Sequence, residues 1–222
     1  MTMINEETKE CVICGAQGKF RWILSTNKFG LPDLDLRPPE MFRSTIGLWI
    51  QRCHGCGFCA PDISEKGVLV KTVKKIIRQD EYQYQLNNSA FPSLANSFLC
   101  HAIKQEKMVQ YNAAAMSAIH SAWSCEDSGM KAASSICRRR AIELIDKARL
   151  AGQLFAKDAD TGKAIEIDLS RRSGRFDRAR LLCEEFINHH PTSEILSVVR
   201  FQKSLIEKQD DGCHSLDEIH TC

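Results

Sequence analysis

Cys11-Val-Ile-Cys-Gly15 and Cys53-His-Gly-Cys-Gly57 decide the reading of this chain. Two residues between paired cysteines make a tight knuckle, in which both sulfurs reach one ion at about 2.3 Å. Gly15 and Gly57 follow the knuckles, where the backbone often needs positive φ and turns N–H groups toward sulfur. Four thiolates suit a soft or borderline metal and exclude hard cations. Cys11, Cys14, Cys53 and Cys56 are therefore expected to bind one structural zinc. Iron is the alternative, because rubredoxins also use two such knuckles. The longer interval and the lack of a redox partner domain favour zinc.

Outward from the knuckles, residues 11–63 differ from the rest, holding four of the six prolines and five cysteines. Short β-leaning runs, Phe20–Leu24 and Ile46–Gln51, flank a Pro- and Asp-rich loop from Ser25 to Ser44. This pattern predicts a long-tipped hairpin with a cysteine pair at each base, a zinc-ribbon plan. A module so small would depend on its ion for a fold.

From Ser64, a candidate helix cap, the pattern becomes helical. Val68, Val70, Val73, Ile76 and Ile77 supply an apolar face. Pro92 opens a longer helical region, with breaks near Gln110, Ser128, 152–161, Gly174 and Pro191. Met130, Ala133, Cys137, Ala141, Leu144 and Ala148 recur at three and four. Gly174, Phe176, Ala179, Cys183, Phe186 and Pro191 carry the spacing of the second helix of a tetratricopeptide repeat. Phe98, Ala102, Tyr111, Ala114 and Ala118 form a weaker copy. The expected fold is mainly α: a zinc-ribbon-like module over 1–63, a tetratricopeptide-like domain of antiparallel helical hairpins over 64–209, and a tail over 210–222.

Composition bounds function. The chain has 222 residues, a net charge of +2 and eleven cysteines. Near-neutral charge gives no overall footprint for nucleic acid or anionic membrane. No apolar run reaches the roughly 20 residues of a membrane helix, and the first ten residues are polar and acidic. A cytoplasmic protein with reduced thiols is expected, so paired cysteines imply metal before disulfides.

Ser25–Met41 (STNKFGLPDLDLRPPEM) and Trp49–Ser64 (WIQRCHGCGFCAPDIS) resemble a bacterial family of unknown function that joins a two-knuckle cysteine module to tetratricopeptide-like helices. The resemblance extends through Ala118–Asp127 (AIHSAWSCED) and the region near Gly174. It implies the same architecture and location, and no activity. It carries over only the four knuckle cysteines, as metal ligands.

Other constellations have structural explanations. Cys59 is expected to be a small buried hydrophobe. Asp33, Asp35 and Arg37 read as a solvated face or as braces of their loop. Cys213, His214, His220 and Cys222 are metal-capable, but lie in a tail expected to be loosely ordered. Cys100, His101, His120, Cys125, Cys137 and Cys183 fall on helices, where core packing is the default over nucleophilic catalysis. No phosphate loop, nucleophile elbow or zincin motif is present. Arg138–Arg140 and Arg171, Arg172, Arg175 and Arg178 form basic clusters. Arg171, Arg172 and Arg175 are the candidate contacts for a protein partner held in the helical groove. A nucleic-acid-binding ribbon is the alternative function, and an iron electron carrier the next. No enzyme activity is expected.

Overall fold

A computed structural model describes every residue except Val68, Pro191, Ser193 and Cys222, and leaves out the side chains of His220 and Thr221. The fold is mainly helical. Strands β1 (Met3–Glu10) and β2 (Gln17–Ser25) form one antiparallel hairpin, and β3 (Gln51–Arg52) and β4 (Cys59–Ala60) a second. Eight helices follow among the described residues: α1 (Val70–Ile76), α2 (Asp80–Leu86), α3 (Ser93–Lys107), α4 (Tyr111–Asp127), α5 (Lys131–Leu150), α6 (Ala159–Arg172), α7 (Phe176–His189) and α8 (Leu196–Glu207).

The expected pairing of Phe20–Leu24 with Ile46–Gln51 does not form. β2 takes the acidic N-terminal segment as its partner, and Arg43–Leu48 winds into a 3-10 turn. Each knuckle instead turns its own hairpin, Cys11–Cys14 between β1 and β2 and Cys53–Cys56 between β3 and β4. Ser64 bonds Asp62 and does not cap α1, which begins after Leu69. The helix breaks match the sequence at Gln110, Ser128, 152–161 and Gly174. The break at Pro191 and the contribution of Val68 lie outside the described residues.

Sequential helices pack on one another, α3 on α4, α4 on α5, α6 on α7 and α7 on α8. Small residues sit where the backbones approach: Ala114, Ala118, Ala141 and Ala179 are fully buried. Ala179, Cys183 and Phe186 of α7 pack with Ala164 and Ile167 of α6 and Val199 and Ile206 of α8. The larger cluster joins the cysteine-bearing segment to the helices. Cys11, Ile13, Ile46, Ile50, Cys53, Phe58 and Ile63 are buried with Tyr82, Phe98, Ile119, Trp123 and Leu144. The two parts thus share one apolar core, and the ion is not the sole support of the first.

A charged layer completes the interior. Asp35, with no side-chain exposure, accepts bonds from Trp123 Nε1 and Arg172 Nη1, each at 2.8 Å, and lies 3.6 Å from Arg138 Nη2. Glu126 receives Arg172 Nη2 at 2.7 Å and Arg138 Nη1 at 2.8 Å. Arg37 makes a two-oxygen contact with Asp127 at 2.6 and 2.7 Å, and Arg43 pairs with Asp33. Arg37, Arg43, Arg138 and Arg172 therefore face Asp33, Asp35, Glu126 and Asp127, and the layer carries no net charge. Burial opposes the Asp35 charge, but Arg172 and Arg138 outweigh it and hold the carboxyl below the ordinary range. Asp33, Asp35 and Arg37 are thus braces of their loop and not a solvated face.

The tail is also tied down. Leu34 N donates to His214 O at 3.0 Å and Leu216 N to Pro32 O at 2.9 Å, so the Pro-rich loop and residues 214–216 run side by side. A loosely ordered tail does not describe these residues.

Removing Asp35 leaves the buried guanidiniums of Arg138 and Arg172 with Glu126 as their one shared carboxylate, and breaking a buried pair costs about 3–5 kcal/mol. Asp35→Ala should lower stability by that amount in chemical denaturation. His120 packs between Trp49, Phe98 and Trp123, and burial pushes its pKa down to about 4. The fold keeps it neutral while the unfolded chain takes up a proton below about 6.5, so stability falls as pH drops from 6.5 toward 4. The slope from this residue is about 1.4 kcal/mol per pH unit. Denaturation of His120→Phe across that window should show the slope reduced by this share.

Candidate metal centre

Cys11, Cys14, Cys53 and Cys56 bring their sulfurs within 4.8 Å of one another. Cys14 Sγ lies 3.5 Å from Cys53 Sγ, and Cys11 Sγ lies 3.8 Å from Cys56 Sγ. A tetrahedron with metal–sulfur bonds of about 2.3 Å has edges of about 3.8 Å, so the four thiols are spaced to hold one ion. Gly15 and Gly57 have φ of +76° and +73°. Each turn is closed by a backbone bond, Gly15 N to Cys11 O at 2.8 Å and Gly57 N to Cys53 O at 2.9 Å.

The clustered thiols perturb one another's ionisation. Burial raises the Cys11 and Cys56 thiols above their ordinary pKa, with neighbouring sulfurs adding to the effect. Burial acts on Cys53 too, but backbone N–H groups of Cys56 and Gly55 and the other thiols outweigh it and lower its pKa. Four close thiols cannot all ionise unaided, and a divalent ion supplies the charge that lets them. Backbone donors to sulfur also appear at Cys11, from Ile13 and Cys14. Such donors are the usual support of metal-bound thiolates.

The two knuckles are held differently. The second is built onto the helices: Tyr82 Oη of α2 accepts from Cys59 N at 3.1 Å and donates to Gly57 O at 3.0 Å. His101 Nδ1 lies 3.1 Å from Cys59 O, and Arg52 reaches Leu86 O. The first is held by Val12 N to Ile63 O at 2.9 Å and by the Lys9–Asp62 ion pair. Beyond it, β1 is exposed along its length except at Lys9. An ion joining all four sulfurs would therefore staple an exposed hairpin to a body already anchored by α2 and α3.

The other candidate residues separate cleanly. Cys59 is fully buried and outside the four-sulfur group, with its Sγ near Gly57 O, as expected of a packing residue. His54 is exposed. His214 is bracketed by Asp210 at 3.0 Å and Glu218 at 2.7 Å, and Cys213 Sγ donates to Asp33 at 3.0 Å. Cys222 and the His220 side chain lie outside the described residues. Cys100, Cys125, Cys137 and Cys183 are buried in the helical core, as is His101.

Arg171 and Arg172 are the main correction. Both are buried: Arg171 pairs with Asp168 and bonds Asp210 O, each at 2.6 Å, while Arg172 spans Asp35 and Glu126. They hold the loop and tail to α6 and offer no open surface to a partner, and only Arg175 of the three is partly exposed. Helical spacing pointed to Asp168 for Arg171 but gave no signal for Arg172, because its acceptor Asp35 lies 137 residues away. Sequence reasoning also missed Tyr82, whose hydroxyl orients the second knuckle, since a single tyrosine on a short helix carries no motif.

No protein-family model, curated protein or solved structure matches this chain.

A Cβ at residue 57 would stand 2.4 Å from Leu86 Cδ2, whereas one at residue 15 meets nothing nearer than 3.8 Å. Both sites carry the left-handed backbone cost of about 1–2 kcal/mol. Gly57→Ala should therefore lower the melting temperature and metal affinity more than Gly15→Ala. Equal effects would show that the second knuckle does not depend on its seat against α2.

Proposed function

We propose that the chain is a non-catalytic adaptor whose N-terminal hairpin is stapled by one structural zinc ion. One observation carries this reading: four cysteines from two hairpins converge with tetrahedral spacing, and no fifth protein donor joins them among the described residues. A closed tetrathiolate site suits zinc in a structural role, because catalytic zinc keeps a position open for water or substrate. Zinc is preferred over iron because the arrangement ties exposed to anchored structure and serves no evident electron path. The burial of Cys100, Cys125, Cys137, Cys183 and His101 supports the non-catalytic part, since these reactive side chains face the core.

A protein partner in a helical groove remains the adaptor reading, moved away from the buried arginines. A cleft of about 330 Å³ is lined by Tyr84, Phe91, Leu99, Ile103 and Ile136, from α2, α3 and α5 and the approach to α3. Tyr84 and Ile136 at its mouth are exposed by 73% and 47%. Exposed aromatic and aliphatic groups around a cleft are the usual anchors of protein recognition.

Elemental analysis of the purified chain should find one zinc per molecule. Cys14→Ser and Cys53→Ser should each lose the metal. Full occupancy by iron, or no metal in freshly prepared protein, would contradict the zinc reading.

A further inference from the structure

Helix α1 and the turn after it carry a second surface. Residues 66–79 hold five cations, Lys66, Lys71, Lys74, Lys75 and Arg78, and no acid. Lys71, Lys74 and Lys75 recur at three and four along α1, which places them on one face, and Arg78 follows in the turn after the helix. The opposite face is already occupied: Val73, Ile76 and Ile77 are buried in the main core. All five cations are exposed, and none forms an ion pair among the described residues. Many of the cations on the longer helices are paired. In α5 to α7, Arg140, Lys147, Arg149, Lys163, Arg171, Arg172 and Arg178 all meet carboxylates. Like charges at helical spacing repel, so an unrelieved row costs the fold stability.

We propose that Lys71, Lys74, Lys75 and Arg78 bind the phosphate backbone of a nucleic acid, without regard to base sequence. Within the adaptor reading this supplies a ligand for a surface separate from the apolar cleft. Lys71 to Lys75 span about 6 Å along the helix, the axial length of about two nucleotides in one strand of a duplex, and Arg78 extends the row from the following turn. Lysines are well suited to phosphates as point charges on flexible stems, and three of the four are lysine. A protein partner would need an apolar centre to its interface. Among the described residues of 66–79, Leu69, exposed by 61%, is the one large exposed hydrophobic. A membrane surface would need the apolar face of the helix, which the core already occupies. Four cations around a single exposed leucine fit a phosphate chain best. The acids nearest in sequence, Glu65, Asp80 and Glu81, flank the row, and Glu81 is taken by Lys107 at 3.0 Å.

The test measures binding of short, fluorescently labelled, mixed-sequence single-stranded RNA and DNA to the full chain by anisotropy across a salt series. Both should bind, with log K falling against log salt at a slope of about −3 for four neutralised phosphates. Lys71→Gln/Lys74→Gln/Lys75→Gln should weaken binding at least about tenfold at low salt and flatten the slope by about 2. A control removes three cations of α8 and its C-terminal end that also lack ion pairs, Arg200→Gln/Lys203→Gln/Lys208→Gln, and should leave affinity within about twofold. Zinc content of both variants should match the parent and neither should melt at a lower temperature, which separates this proposal from the metal reading. No salt-dependent binding, equal loss in the two triple variants, or tighter capture of polyglutamate or phosphatidylserine vesicles than of the oligonucleotides at the same salt would overturn it.

Discussion

Four sulfurs held within 4.8 Å of one another impose a charge problem on this fold, and the N-terminal half is arranged around it. Buried thiols so close resist joint ionisation, and a cation at their centre removes that resistance. The pairs come from segments about forty residues apart, so whatever fills the site also closes a long loop. Of the two hairpins it joins, one is seated on α2 through Tyr82 and Leu86. The other projects with only a few contacts of its own. This asymmetry defines what an ion bound there would do mechanically, which is to fix the projecting hairpin relative to the helices.

The segment between the knuckles is held by a different force. Asp33, Asp35 and Arg37 run from the surface into a layer of guanidiniums and carboxylates, where Trp123 adds a neutral donor to Asp35. Charges in such a layer must be paired, since each unpaired one would cost several kcal/mol (about 3–5). The same layer captures the tail through Arg171 and Asp210 and through the backbone pairing of residues 32–34 with 214–216. The basic row on α1 lies outside this layer, which is why its unpaired charges stand apart from the other arginine clusters.

Local signals were legible and long-range ones were not. The C-x-x-C-G spacing identified the four sulfurs, because knuckle geometry is set within five residues. Helix breaks followed from Gly152, Gly174 and neighbouring polar residues, and the Ala179, Cys183 and Phe186 stripe correctly marked a buried face. The partner of β2 was missed because Met3–Glu10 is acidic and nearly all exposed, leaving no hydrophobic alternation to read. Arg171 and Arg172 read as contacts for a protein partner. The burial of Arg172 depends on Asp35 and Glu126, and that of Arg171 on Asp210 as well as Asp168, and only the folded chain brings Asp35, Glu126 and Asp210 near. The resemblance to a two-knuckle, helical-repeat family anticipated a cysteine cluster and a helix-rich chain, and both are present.

Hydrogen exchange with and without a zinc chelator tests the stapling of the hairpin most directly. Metal removal should strip protection from β1, β2 and the Cys11–Cys14 knuckle, while α3 to α6 keep theirs. The β3–β4 hairpin, braced by Tyr82, should lose less than β1–β2. Protection lost evenly through all eight helices, or a β1–β2 hairpin unchanged by the chelator, would contradict a stapling ion.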